Sequence, residues 1–271
     1  MGAPYEDLLA LASRCVLGSR GRDAPAATPM VFWWDGSGLW TTTSSERLET
    51  AGLDTDPVCA AYVSPLGVGQ EGVIVRGRVR IYRPGDPVGL VLHTPTISAA
   101  MTALAVRNAG RLLGQARDAA RIPPRLPRPR VVLRLAVEGL RTVDPPDLDA
   151  GVAPALPTDV PAQVRRALAG HRRVVLVYAD EAGVQATPAV WGAGYTLTVP
   201  ASLTPPAGAR AVAAVDVDPG VRPAHAVGLA IAGTISADGR LQPERATSWH
   251  GFSTETVEIS PAPPGGVALP D

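Results

Sequence analysis

Shifted by 159 positions, the chain meets itself. Leu9, Ala10, Arg14, Val16, Leu17, Ala27, Thr28, Pro29 and Val31 fall on Leu168, Ala169, Arg173, Val175, Leu176, Ala186, Thr187, Pro188 and Val190, nine identities in 23 ungapped positions. Further on, with small gaps, Val73–Val79 resembles Gly228–Ile235. A repeat constrains architecture before any local reading does, because each copy must be one structural unit that packs against its neighbour. The 271 residues suffice for two ordinary domains, and a 46% hydrophobic content can fill two cores.

Within the first copy the pattern is one of short strands. Arg14–Ser19, Pro29–Trp34, Leu39–Thr43, Val58–Val63, Val73–Tyr82 and Val131–Val137 are rich in β-branched and aromatic residues. Asp35-Gly36-Ser37-Gly38 is a hairpin turn. Tyr5–Ala12 reads as a short helix, and Ser44 or Ser45 can cap another running to Leu53. Residues 97–120 carry helical periodicity, with Met101, Leu104, Ala105, Leu112 and Leu113 on one side, before prolines end it. The second copy predicts a helix at Val160–Ala169 and strands at Arg173–Ala179, Val184–Trp191, Thr196–Val199, Ala211–Val217, Ala226–Ser236, Arg240–Trp249 and Thr254–Ile259. The chain therefore divides into residues 1–143, a Pro-rich linker over 144–158, residues 159–260, and a loose tail over 261–271. Short antiparallel strands with few helices point to barrels, since closure removes exposed edges.

Composition excludes several chemistries. All 25 basic residues are arginine and balance 25 acidic ones, so no charge excess predicts a nucleic-acid or acidic-membrane partner. Without lysine, Schiff-base chemistry on pyridoxal phosphate and a P-loop are excluded, and arginine must bind any anionic ligand. The Arg-only, Ala/Gly/Pro-rich composition resembles that of GC-rich actinobacterial proteins. Cys15 and Cys59 sit in apolar runs and are expected as buried thiols. No signal peptide or membrane-length apolar run is evident, so a soluble cytoplasmic protein is expected. His93, His171, His225 and His250 show no metal-ligand spacing, and no metal site is expected.

Two motifs need weighing. Gly67-Val68-Gly69-Gln70-Glu71-Gly72 fits G-x-G-x-x-G, but a strand follows it rather than a helix, so no helix N-terminus can hold a pyrophosphate. The segment Leu39–Leu48 runs a hydroxyl-rich strand into a helix start bearing Arg47. Hydroxyls, free helix N–H groups and a guanidinium can grip a phosphate, and equally they can form an ordinary capped surface helix. Arg121, Arg125, Arg128 and Arg130 could add phosphate contacts or form a solvated turn.

The order Thr28-Pro29-x-Val31-x-Trp33, Asp35-Gly36-x-Gly38-Leu39-Trp40-x-Thr42, Ser45-x-Arg47, Asp56-Pro57-Val58 and Gly77 resembles the FMN-binding split-barrel family related to pyridoxamine 5′-phosphate oxidase. The resemblance covers Leu8–Val143 and, more loosely, Val160–Ile259. It implies a mainly β fold of two tandem split β-barrels forming an intramolecular pseudo-dimer, with further homodimerisation left open. It implies that Thr41, Thr42, Ser45 and Arg47 hold the phosphate and flavin edge, and that Gln70 reaches the pyrimidine ring. From the second copy, Trp191 or the Trp249-His250-Gly251-Phe252 segment would cover the ring, with core packing as the alternative for these aromatics. FMN is the first cofactor reading, with haem (His250 as ligand) or a deazaflavin as alternatives, and the function an oxidoreductase acting on a small molecule or a non-catalytic binding module. Pyridoxamine phosphate itself is not expected, because the oxidase's C-terminal Arg-x-His element is not visible. In the second copy, Thr198–Pro206 has no basic residue and three prolines, which predicts a lost phosphate site and a structural role.

Overall fold

The computed structural model describes residues 4–22, 24–45, 52–64, 71–83, 87–107 (side chains from 94), 130–149, 151–217, 226–251 and 253–259. The chain is mainly β, a closed six-stranded barrel followed by a seven-stranded half-barrel. Helix α1 (Pro4–Leu11) precedes β1 (Arg14–Arg20), β2 (Pro25–Trp34), β3 (Gly38–Ser44), β4 (Val58–Val63) and β5 (Gly72–Tyr82), then α2 (Pro87–Arg107) and β6 (Arg130–Val143). The second unit holds α3 (Ala162–Ala167), β7 (Arg173–Asp180), β8 (Gly183–Trp191), β9 (Leu197–Thr198), β10 (Arg210–Val217), β11 (Val227–Ile235), β12 (Leu241–His250) and β13 (Ser253–Glu258). The first unit closes in the order β1-β2-β3-β6-β5-β4, and the second is an open sheet, β13-β12-β11-β10-β7-β8-β9.

Register shows the repeat in three dimensions. Leu17 pairs with Ala61 as Leu176 pairs with Ala213. Both units carry a β-bulge at the same place, between Arg76 and Gly77 and between Ala232 and Gly233. Each bulge needs glycine, since a Cβ would lie 1.9 Å from the Ala136 carbonyl in one unit and 1.9 Å from the Gln242 carbonyl in the other.

The units differ where β3 meets β6. In the first, Thr41–Ser44 pair with Arg130–Leu133, the start of a 14-residue strand entered from the α2 segment. In the second, a tight turn through Gly239 leads straight into β12, so the stretch equivalent to Arg130–Leu133 does not exist. Only a single bridge, Thr196 to Arg240, marks that junction, at the position of Trp40 opposite Arg134. Strand β13 takes the free edge of β12 instead.

The two units pack through equivalent strands. In β1 every residue from Cys15 to Ser19 is buried, because Cys15 and Leu17 fill the barrel while Val16 and Gly18 face the second unit. An apolar seam of Val16, Ala60, Tyr62 and Ile74 against Val177, Val184 and Ala186 joins the units. A Cβ on Gly18 would lie 2.7 Å from Val177 Cγ1. Gly18 and Val177 are repeat-equivalent, and equivalent residues touch only where a twofold axis passes. The pseudo-dyad therefore runs through a hole on one side and a knob on the other.

Several expectations are corrected. The long helix begins at Pro87, ten residues before the expected start, and its described part ends at Arg107; Pro95 is accommodated inside it rather than stopping it. Residues 108–120 of the expected helix lie outside the described residues, as do residues 46–51 of the helix expected after Ser45. The strand expected at Thr196–Val199 shrinks to two residues for want of a partner like β6. Strand β6 runs six residues further than expected, to Val143. No described helix is long and apolar enough to cross a membrane.

Candidate functional site

The hairpin feeding β3 is built on Asp35. Its carboxylate accepts the Ser37 and Gly38 backbone N–H groups, both at 2.7 Å, the Ser37 hydroxyl at 2.8 Å and the Trp40 indole N–H at 2.6 Å. Burial alone would raise this carboxyl, but the donated hydrogen bonds outweigh it and hold Asp35 below the usual carboxylate range. Trp40 is thereby fixed on the outer face of the barrel, stacked on Tyr82 at 5.6 Å with the Arg134 guanidinium over its ring.

Strand alternation then sorts the hydroxyls. Thr41 points inward and donates to the Val31 carbonyl at 2.7 Å. It lines a void of about 10 Å³ with Leu17, Phe32 and Leu133, too small for any ligand. Thr41 is thus part of the barrel's inner wall. Thr42 points outward, and its Oγ1 accepts from Arg130 Nη2 at 2.7 Å. Of the arginine-rich stretch, Arg130 alone is described, and it sits in β6 directly beside the hydroxyl segment. Ser45 is half-buried just beyond β3. Arg47, Gln70 and Phe252 lie outside the described residues.

From Thr42 a row of outward residues crosses the barrel toward the second unit. Arg14 pairs with Val31 on β2, and the Phe32–Thr41 pairing sets Thr42 beside Val31 on β3. At the usual interstrand spacing, Thr42 and Arg14 are about 10 Å apart. Arg14 forms an ion pair with Asp216 of the second unit. Asp216 Oδ1 also accepts the Trp249 indole N–H at 3.1 Å, and the Trp249 ring lies over Gly228, where no Cβ could fit. Trp249 is thus brought to the seam, beside the Arg14–Asp216 ion pair. His250 is not; it is exposed and projects to the opposite face of β12. Trp191 is core, its indole N–H donated to the His171 carbonyl at 2.7 Å. The signal for Arg14 was in the repeat itself, where Arg14 and Arg173 coincide; Asp216 had no such mark.

The pseudo-dyad generates a second corner from Arg173. Its row, Arg173–Val190–Thr198, matches Arg14–Val31–Thr42. Ser64 stands where Asp216 stands in the first corner, as each lies three residues beyond the equivalent partners Ala61 and Ala213. Ser64 hydrogen-bonds the Tyr62 phenol, which burial pushes up to about 12, so neither of these two groups presents an anion to Arg173. Arg173 Nη1 reaches the Pro146 carbonyl at 3.5 Å, and its Nε is buried without a partner among the described residues. Among the described residues nothing stands beside Thr198 as Arg130 stands beside Thr42, because the turn through Gly239 replaces the start of β6.

Other groups offer no competing centre. Cys15 and Cys59 are free and buried as expected; burial pushes Cys15 up to about 12 and Cys59 higher still, so neither is a nucleophile at neutral pH. A concavity of about 280 Å³ lies at the far end of β1 among Arg20, Arg22, Asp54 and Asp56. Its carboxylates serve the protein: Asp54 pairs with Arg83, and Asp56 caps the Val58 N–H at 3.0 Å.

No known family profile and no curated protein matches the chain. Among solved structures, the chain is similar to a candidate pyridoxamine 5′-phosphate oxidase from Listeria innocua, with 16% identity, TM-score 0.33, and coverage of 51% of this chain and 94% of that one. It is similar to an F420 reductase, with 20% identity, TM-score 0.34, and coverage of 52% and 98%. It is also similar to a haem storage protein from Vibrio cholerae, with 10% identity, TM-score 0.36, and coverage of 51% and 90%. Likenesses this distant identify no ligand.

Proposed function

We propose that the chain is a tandem member of the FMN-binding split-barrel family and holds one flavin, FMN in the first reading, at the corner where Thr42, Arg130 and Arg14 face Asp216 and Trp249. The observation that carries this is the Thr42–Arg130 contact on the outer face of β3. An exposed hydroxyl with a guanidinium already turned to it suits a phosphate, which a planar arginine fork can grip with two hydrogen bonds. Ser45 and Arg47 follow directly in sequence and would extend that grip. Trp249, anchored through Asp216, is suited to bound the ring from the second unit. A bound flavin would supply hydride chemistry on a small molecule, and the residues of this chain would orient it and exclude water.

A deazaflavin cofactor also carries a phosphate, so the same residues would serve it. Haem through His250 is disfavoured at this corner, since His250 projects away from Trp249. The test is the absorbance spectrum of the purified protein, followed by FMN titration. The reading predicts a flavin spectrum, or FMN fluorescence quenching saturating at one equivalent. A colourless protein that leaves FMN fluorescence unchanged would contradict it, and a deazaflavin spectrum would keep the site and change the cofactor.

A further inference from the structure

The linker between the two units is not a slack tether. Residues 144–149 and 151–157 form no helix or strand, yet the second unit holds them at successive points. Pro146 gives its carbonyl to Arg173. Asp149 gives its backbone carbonyl to Arg172 Nη1 at 2.7 Å and its carboxylate to Arg172 Nη2. Ala155 gives its carbonyl to the Tyr195 hydroxyl at 2.8 Å. Leu156 packs onto the second core, and Pro154 is buried. Tyr195 is the one described non-glycine residue with positive φ, at 59°, a conformation sustained only where surroundings over-determine it. Here the ring sits edge-on to Trp191 while the hydroxyl holds the linker.

These anchors border the second corner. Arg173 is the equivalent of Arg14, and the loop carrying Tyr195 joins the two strands that hold Val190 and Thr198. We propose that this corner is a peptide-binding cleft whose resident ligand is the linker itself. The linker supplies the Pro146 carbonyl to Arg173, where the first corner supplies the carboxylate of Asp216 to Arg14. With this strap in place, the pseudo-dimer offers one open corner per chain instead of two. The strap stands on its own contacts; only its consequence for stoichiometry rests on the flavin reading.

The test is limited proteolysis of the full chain with thermolysin, alongside FMN titration. Leu148 and Val152 are exposed on the linker and give cleavage points. Arg172→Ala with Tyr195→Phe removes three of the anchoring hydrogen bonds, and Tyr195→Phe alone is the milder variant should the pair misfold. The expected result is cleavage within 144–157 about tenfold faster in the double variant, and intermediate in the single one. Wild-type cleavage as fast as that of the variants would overturn the proposal. So would FMN that speeds cleavage in the wild type, or two equivalents of FMN bound while the linker stays protected. If FMN does not bind at all, the flavin reading fails and the strap is judged by the cleavage rates alone.

Discussion

The two corners of the seam start from the same arginine and end differently. At the first, Arg14 meets the carboxylate of Asp216, which also holds Trp249, and the outward hydroxyl of Thr42 has Arg130 beside it. At the second, Arg173 meets a neutral serine and tyrosine, its Nε is unpaired among the described residues, and its Nη1 reaches the Pro146 carbonyl of the linker. The difference traces to one topological change. Without the segment that enters β6 through Arg130–Leu133, β9 pairs with β8 alone, the second unit stays open, and the hydroxyl row lacks the equivalent of Arg130. The make-up of each corner thus depends on the strand beside it as much as on its own residues.

The pairing that creates both corners should be the easiest thing to break. Gly18→Val puts a knob against the Val177 knob on the pseudo-dyad, and should cost about 3 kcal/mol, read by chemical denaturation. A loss below about 0.5 kcal/mol would mean the units do not meet there. Asp216→Ala leaves Arg14 and the Trp249 N–H without their shared acceptor, and should cost about 2 kcal/mol. Ser64→Ala, at the equivalent place in the other corner, should cost less.

A sharper contrast comes from the two arginines. Arg14→Met abandons Asp216 and should cost about 1–2 kcal/mol, whereas Arg173→Met removes an orphaned buried N–H and should be neutral within about 0.5 kcal/mol. Equal losses would erase the proposed difference. The smallest effect concerns pH. Asp35 is depressed in the folded state, so its stabilisation is present above the unfolded carboxyl range near 4 and is lost as pH falls through the folded value. Asp35→Asn should therefore cost about 1 kcal/mol at neutral pH and converge on wild type in acid, as thermal melts across pH would show.

Much of this was legible in the sequence because most of the repeat identities fall in β1 and β2, and β1 is buried on both faces from Cys15 to Ser19, which restricts substitution there. The Asp35 hairpin was legible from its turn residues. The division between Thr41 and Thr42 follows from period-two alternation only once Leu39 is placed inward, and the sequence alone does not place it. The opening of the second unit was not legible, because strand order depends on which distant segment reaches an edge, and β13 competes for that edge only in three dimensions. The docking of the linker was hidden for a similar reason: three of its contacts, at Pro146, Asp149 and Ala155, run through backbone carbonyls, which leave no residue signature.

The most direct test of the unequal corners is an FMN fluorescence-quenching titration of three full-length proteins: wild type, Arg130→Met and Thr198→Val. The account predicts one equivalent bound by wild type, affinity about tenfold weaker in Arg130→Met, and no change in Thr198→Val. Two equivalents in the wild type, or an Arg130→Met protein that binds as tightly as wild type, would contradict it.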